Sequence, residues 1–424
     1  MWRRIATQFG HLAGTVLCGL VICVPLHAQE WTRFRGPNGS GVGSAADVPT
    51  RWTASDFNWR IPLPGTGHGS PVLWGRRLFV VSAPEQTAQQ IVSCVSADDG
   101  STTWQRTFES QTHRKHELNS FASSTPVVDE RRLYFCWASP AEYVVQALDH
   151  DGQPQWRVDL GPFKAGHGFG ASPILSGDLL IVPNEQEGES ALVALDCRTG
   201  EVRWKIPRQT QATYSTPCIY HGEGRVPELI FTNWRRGITA VDPHTGNVNW
   251  ETSVFDQTHS ETAIASPIVY GNLVLGTCGY LGYATHTAAV RADGAQPAKV
   301  EQVYRVDRGA PLSTTPVAAD GLLFLWADEG IVTCVDADDG ETYWRKRVGG
   351  KYYGSPVIIG GRVFCLSSNG SAVVLAAERK YQLLARNPLG EGSHSTPAIA
   401  NGEMYLRTFT HLMSIGGPDH SLGN

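Results

Sequence analysis

The chain has 424 residues, a formal net charge of −5, 41% hydrophobic and 18% charged residues, the balance of a folded protein rather than a disordered one. Its longest run of Lys and Arg is Arg345-Lys346-Arg347, and phosphate binding needs clustered cations. Nucleic acid is therefore excluded as a partner, and a basic membrane-binding stripe is absent too. The 45 Gly, 25 Pro and 13 Trp imply many turns between short elements, and a use for the indoles.

In chain order, Arg3 and Arg4 precede an apolar run from Leu12 to Leu26, and Leu26-His27-Ala28 offers a small residue for cleavage. This predicts a signal peptide over residues 1–28. The run is short for a membrane span, and neither Leu17-Cys18 nor Ile22-Cys23 has the small residue that lipid attachment wants before its Cys. The mature chain is expected to be exported to the periplasm or outside the cell, to lack a transmembrane domain and to be a monomer. Losing Arg3 and Arg4 makes it more acidic. Residues 29–56 follow, with Trp31 to Gly41 rich in Gly and Pro; they are expected to form an irregular segment laid on the surface of the fold.

From there a Ser/Thr-Pro pair followed by an apolar run recurs eight times, at Pro71, Pro126, Pro173, Pro217, Pro267, Pro316, Pro356 and Pro397. The spacings run from 40 to 55 residues, the length of a four-stranded propeller blade. The third unit is the clearest. Ser172 to Leu175, Leu179 to Val182, Ala191 to Asp196 and Val202 to Trp204 are four short apolar runs, each parted from the next by turn residues. The last gap begins with Asp196 and ends with Gly200; an Asp side chain can bond turn amides there, and Gly can take positive φ. The same closing phrase ends at Trp104, Trp156, Trp250 and Trp344, with Tyr304 and Leu384 where Trp is expected. A large flat side chain on each outermost strand can wedge against the next blade, which explains the Trp count.

The eighth unit lacks its final strand. Phe57 to Ile61, with Trp59, matches Val202 to Ile206, so an N-terminal strand is expected to complete the last blade and remove an exposed edge. The prediction is an all-β, eight-bladed propeller of four-stranded antiparallel blades over residues 57–416, with a tail over 417–424 and no helix in the mature chain. The seven cysteines beyond residue 28 sit singly in apolar runs and read as small core residues.

The phrase Ala-Leu-Asp-x-x-Thr-Gly-Glu-x-x-Trp, carried by Ala194 to Trp204 and nearly whole by Ala240 to Trp250, resembles the repeat of the pyrroloquinoline quinone (PQQ) propeller family. That family includes quinoprotein alcohol dehydrogenases and BamB-like assembly lipoproteins. The resemblance spans residues 59–415 or so and implies the fold more than an activity. The dehydrogenases use a disulfide between adjacent cysteines, a metal held by carboxylate and amide, and an Asp base. This chain has no adjacent Cys pair, so no catalytic residue and no cofactor is assigned. The expectation is a non-enzymatic scaffold that binds a protein or a small extracellular ligand. The alternative is a PQQ-dependent alcohol or sugar dehydrogenase, with PQQ and calcium at the channel mouth.

Residues just before each Ser/Thr-Pro should gather at the channel mouth. They include His68, His116, Asn119, His167, Tyr214, His259, Glu261, Tyr352 and His394, and convergent polar groups in a concavity make a ligand site. Three readings stay open: a polar water-filled mouth, a small-molecule or peptide site, and a transition-metal site built from two or three of the histidines. No metal ligand set is assigned. Asp336 to Gly340 resembles a calcium loop but lacks the later bidentate carboxylate, and it reads as a turn.

Overall fold

The computed structural model describes residues 31–44, 48–222, 226–256, 262–280, 284–293, 295 and 298–417. The signal-peptide expectation, and the tail beyond Gly417, lie outside these. Among the described residues the only helical element is a 3-10 turn, Pro37–Gly39, and no helix is long and apolar enough to cross a membrane. The strands form eight antiparallel sheets of four, one of them extended by a parallel strand. Each sheet is one of the expected units. In blade 3 the order outward from the axis is Ile174–Ser176, Leu179–Asn184, Ser190–Asp196 and Val202–Arg208. The middle strands are buried on both faces because each face packs on a neighbouring blade, which accounts for their continuous apolar runs.

Ring closure follows the expectation. Trp59–Pro62 pairs antiparallel with His411–Gly416, with Trp59 opposite Ser414 and Ile61 opposite Leu412. The last blade therefore draws its outer strand from the front of the chain.

Two repeated devices bind blade to blade. The first concerns the indoles. Nε1 of Trp59, Trp104, Trp156, Trp204 and Trp344 donates to the carbonyl of Ala97, His150, Cys197, Pro243 and Glu378 respectively, each in the turn of the next blade, at 2.8–3.1 Å. Tyr304 substitutes fully, its hydroxyl donating to the carbonyl of Ala337. Trp250 differs: its Nε1 donates to Glu228 of its own blade. The turn that would receive it is longer, closing from Asp293 to Lys299. In blades 1 to 7 a β-bulge precedes the docking residue, as between Ala194 and Leu195 opposite Trp204, and this re-aims its side chain. The bulge corrects one expectation. In blade 7 the residue opposite Val374 is Ala385, and Leu384 is the bulged one. Ala385 leaves that place small, and Val48 and Trp52 of the N-terminal segment join the same apolar cluster.

The second device explains the Ser/Thr before each proline. The amide of Ser70 donates to Thr125 Oγ1, Thr125 to Ser172, Ser172 to Thr216, Thr216 to Ser266, Ser266 to Thr315, Thr315 to Ser355, Ser355 to Thr396, and Thr396 back to Ser70 Oγ. Eight hydroxyls thus close a hydrogen-bonded ring around the axis. A buried amide stripped of its acceptor costs about 1–3 kcal/mol. Thr125→Val, which keeps the shape and removes the hydroxyl from the Ser70 amide, is expected to destabilise the fold by about 1–2 kcal/mol, read from the midpoint of denaturant unfolding.

The N-terminal segment corrects a further expectation. Its first part does not lie on the surface: Trp31 and Arg35 are fully buried, whereas Arg51 and Thr53 to Asp56 are exposed. The segment crosses the central channel at the level of the inner strands. The amide of Leu73 donates to Trp31 O, that of Val128 to Thr32 O and that of Ile358 to Gly41 O, while Asn38 exchanges two bonds with the backbone of Ile219. Val42–Gly43 then runs parallel to Val357–Ile359 of blade 7. The inner strands leave unpaired edges facing the axis, and this segment satisfies several of them.

Candidate functional site

The loops that enter the inner strands surround a cup of about 320 Å³, floored by Phe34 of the crossing segment. The channel is therefore blind from this side. Seven of the eight ring hydroxyls line its wall, at Thr125, Ser172, Thr216, Ser266, Thr315, Ser355 and Thr396.

Of the residues expected at the mouth, His68, His116, Asn119, His167, Tyr214 and His394 line the cup; His259 and Glu261 lie outside the described residues. Tyr352 does not line it. It is fully buried between blades 6 and 7, its ring edge-on to Trp326 at 5.1 Å, and Tyr353 faces the cup instead. In extended backbone successive side chains point to opposite sides, so a neighbour takes the place.

The histidines form two separate groups. His394 lies between His68 and Tyr353, each at 4.5 Å between ring centroids, with Phe409 at 5.0 Å. His116 and His167 are 5.1 Å apart, and Tyr214 is 6.1 Å from His167. Among the described residues no group of three or more His, Cys, Asp or Glu is placed to hold a metal ion. Asn119 is occupied: its Nδ2 donates to the carbonyls of His167 and Phe169, and its Oδ1 accepts from Ser120 and Ser123, which ties the mouth loops of blades 2 and 3 together.

Two contributions were not legible in the sequence. Asp328 lines the cup from the hairpin between the middle strands of blade 6, where its carboxylate accepts the amides of Leu312 and Ser313. Burial raises its pKa despite those bonds. Phe34 reaches the floor only because the leader enters the channel.

Burial lowers the pKa of His68, His167, His286 and His394. It pushes His68 well below the ordinary range, helped by the charges of His394, Arg407 and Lys115, and it lowers His394 to about 4. His286 in blade 5, with neither ring nitrogen partnered among the described residues, is likewise lowered by burial to about 4. A depressed histidine pKa means that the unfolded chain binds the proton first, so stability is full above about pH 6.5 and falls as pH drops towards the folded value. His286→Leu is expected to remove about 1.4 kcal/mol per pH unit of that slope between about pH 6 and pH 4.5, measured by unfolding at a series of pH values.

The model of the family described as outer membrane protein assembly factor BamB matches residues 41–226 and 287–414. BamB of Yersinia pestis is 23% identical over 282 residues, covering 64% of this chain and 68% of that protein. BamB of Salmonella typhimurium is 22% identical over 297 residues, covering 68% and 71%. In fold, the crystal structure of BamB from Moraxella catarrhalis superimposes with a TM-score of 0.63 at 18% identity, over 86% of this chain and 98% of that one. Quinohemoprotein alcohol dehydrogenase from Comamonas testosteroni gives 0.64 at 12% identity, over 92% and 80%.

Proposed function

This chain belongs to the family of outer membrane protein assembly factor BamB, and from that premise we propose that it is an exported, non-enzymatic scaffold that docks a polypeptide partner on its cup-bearing face during outer-membrane protein assembly. The observation that carries the reading is the family match over both halves of the ring. The geometry supports the face. The loops that gather there are the part of a propeller that interblade packing leaves free to vary, and the cup between them is walled by polar groups and floored by Phe34. Residues 1–28 would direct the chain to the periplasmic side.

The described lining does not fit PQQ with calcium. Asp328 is the carboxylate that lines the cup, and it is engaged with the Leu312 and Ser313 amides. A calcium site needs six or more oxygen ligands. The cysteines Cys94, Cys136, Cys197, Cys218, Cys278, Cys334 and Cys365 are buried and free, so no adjacent disulfide walls a quinone. No step is derived through that group.

The test places a photocrosslinking residue at Tyr353 in the cup or at exposed Asp320, which sits at the other end of the blade 6 inner strand, in cells that encode the chain. The expected result is an adduct from Tyr353, and not from Asp320, with an outer-membrane protein or a component of its assembly. Deleting the gene should also lower the outer-membrane protein content. Tyr353 giving no adduct, or that content being unchanged on deletion, would overturn the reading.

A further inference from the structure

We propose that the cup takes a carboxylate, anchored at its closed end by the hydroxyl ring, and that the C-terminal carboxylate of a polypeptide is the form in which the partner presents it. The inference rests on the scaffold reading and specifies its ligand.

Charge is the first ground. Arg33, Arg35 and Arg407 are each at least nine-tenths buried, and their guanidinium groups bond carbonyls and a hydroxyl rather than carboxylates. Arg33 donates to Pro217 O. Arg35 donates to Thr315 O, Pro316 O and Pro356 O, as well as to Gly39 O and Ser40 O. Arg407 donates to Gly69 O and to Ser82 Oγ. The carbonyls of Pro217, Thr315, Pro316, Pro356 and Gly69 belong to residues that line the cup or adjoin its lining in sequence, so the three cations stand just behind the wall on different sides of the axis. Nε of both Arg33 and Arg407 is buried with no partner among the described residues. Burial lowers the three to about 10, 9 and 9, which leaves them charged at neutral pH. Asp328 is the carboxylate of the described lining and opposes them; further out, Glu117 and Glu329 act on Tyr353 and Glu187 on His167, while Lys115 acts on His68. In a low-dielectric wall such unpaired cations favour an anion in the cavity they flank.

Hydrogen bonding is the second ground. Each ring hydroxyl accepts the amide of the preceding blade, so its oxygen is oriented and its hydrogen remains to donate. The lining hydroxyls make no donated bond among the described residues. A circle of preoriented O–H donors recognises an acceptor with several lone pairs, as a carboxylate has. The wall and floor also carry Phe34, Ile264 and Leu312, which suit an aliphatic side chain next to that carboxylate. The cup's volume of about 320 Å³ lies within the range of a small-ligand pocket.

The experiment is calorimetric titration of the full chain with a heptapeptide ending in Leu, as free acid and as C-terminal amide, together with 4-methylpentanoate and its amide as free small-molecule counterparts. The expected result is at least tenfold tighter binding of the free-acid peptide than of its amide, with affinity falling severalfold as salt is raised. If 4-methylpentanoate binds as tightly as the peptide and its amide does not, the carboxylate site stands and its source is a free acid. Thr216→Val keeps side-chain shape and removes one donor; with circular dichroism unchanged, it should weaken the free-acid peptide at least threefold. Arg407→Met should weaken it about tenfold. Acid and amide binding equally, neither binding, or Thr216→Val binding as the parent does, would overturn the proposal. Rim crosslinks persisting alongside such a failure would remove the carboxylate and leave the scaffold.

Discussion

Replacing Arg35 by Met is expected to destabilise the propeller by about 3–5 kcal/mol, because buried carbonyl oxygens lose a charged donor at about 1–3 kcal/mol each and local relaxation recovers only part of that. Arg35 is fully buried, and its guanidinium serves five carbonyl oxygens, those of Gly39, Ser40, Thr315, Pro316 and Pro356. Three of these belong to blades 6 and 7, so one side chain ties the leader to two blades. Methionine fills similar length but donates nothing, and each carbonyl left dry costs about 1–3 kcal/mol before relaxation. The positive φ of residue 35, at 62°, is common to both side chains and cancels in the comparison. Arg51→Met, at an exposed position of the same segment, should change stability by less than about 0.5 kcal/mol. Denaturant midpoints check both. Faster hydrogen exchange at the Ile358 amide, which donates to Gly41 O, would show that the crossing segment itself has loosened. An Arg35→Met chain as stable as its parent would mean that the leader is a passenger in the channel.

The second large effect is expected at Gly200. Its φ is +77°, and a Cβ there would stand 2.8 Å from the ring of Trp156 and 3.0 Å from Val158 Cγ2. Alanine must therefore both adopt the left-handed region, at about 1–2 kcal/mol, and displace the indole that docks on this turn. The sum is about 3 kcal/mol, taking overpacking at about 1–3 kcal/mol. Gly177 separates the two terms. Its φ is +60° with nothing within 4 Å, so Gly177→Ala carries the backbone term alone, about 1 kcal/mol. In a Trp156→Leu background the penalty of Gly200→Ala should shrink towards that of Gly177→Ala, because the neighbour it strikes is gone. Equal penalties for the two glycines in the parent chain would show that the indole contact contributes nothing.

The interblade wedge was legible because its parts recur at fixed spacing. The turn glycines meet the expected partner at Gly100 on Trp59, Gly152 on Trp104, Gly246 on Trp204 and Gly340 on Tyr304. At two positions the structure differs from the sequence pattern by one residue: Ala385 stands where the spacing points to Leu384, and Tyr353 where it points to Tyr352; along a strand a shift of one exchanges the two faces. A bulge or a loop bend sets that phase, and neither leaves a mark in composition.

The sequence by itself determined the eight blades, the strand that closes them and the docking positions on nearly every outer strand, because each blade's interactions are local or with the next copy of one pattern. Only the tertiary structure decided that Trp31 to Gly43 crosses the channel, that Phe34 floors the cup and that three buried arginines bond carbonyls in or beside its lining. Those contacts join residues 31–43 to inner strands from one end of the chain to the other. No repeat encodes them, and their partners are backbone carbonyls and amides, which every residue carries alike and which become a site only when the ring brings them to one axis.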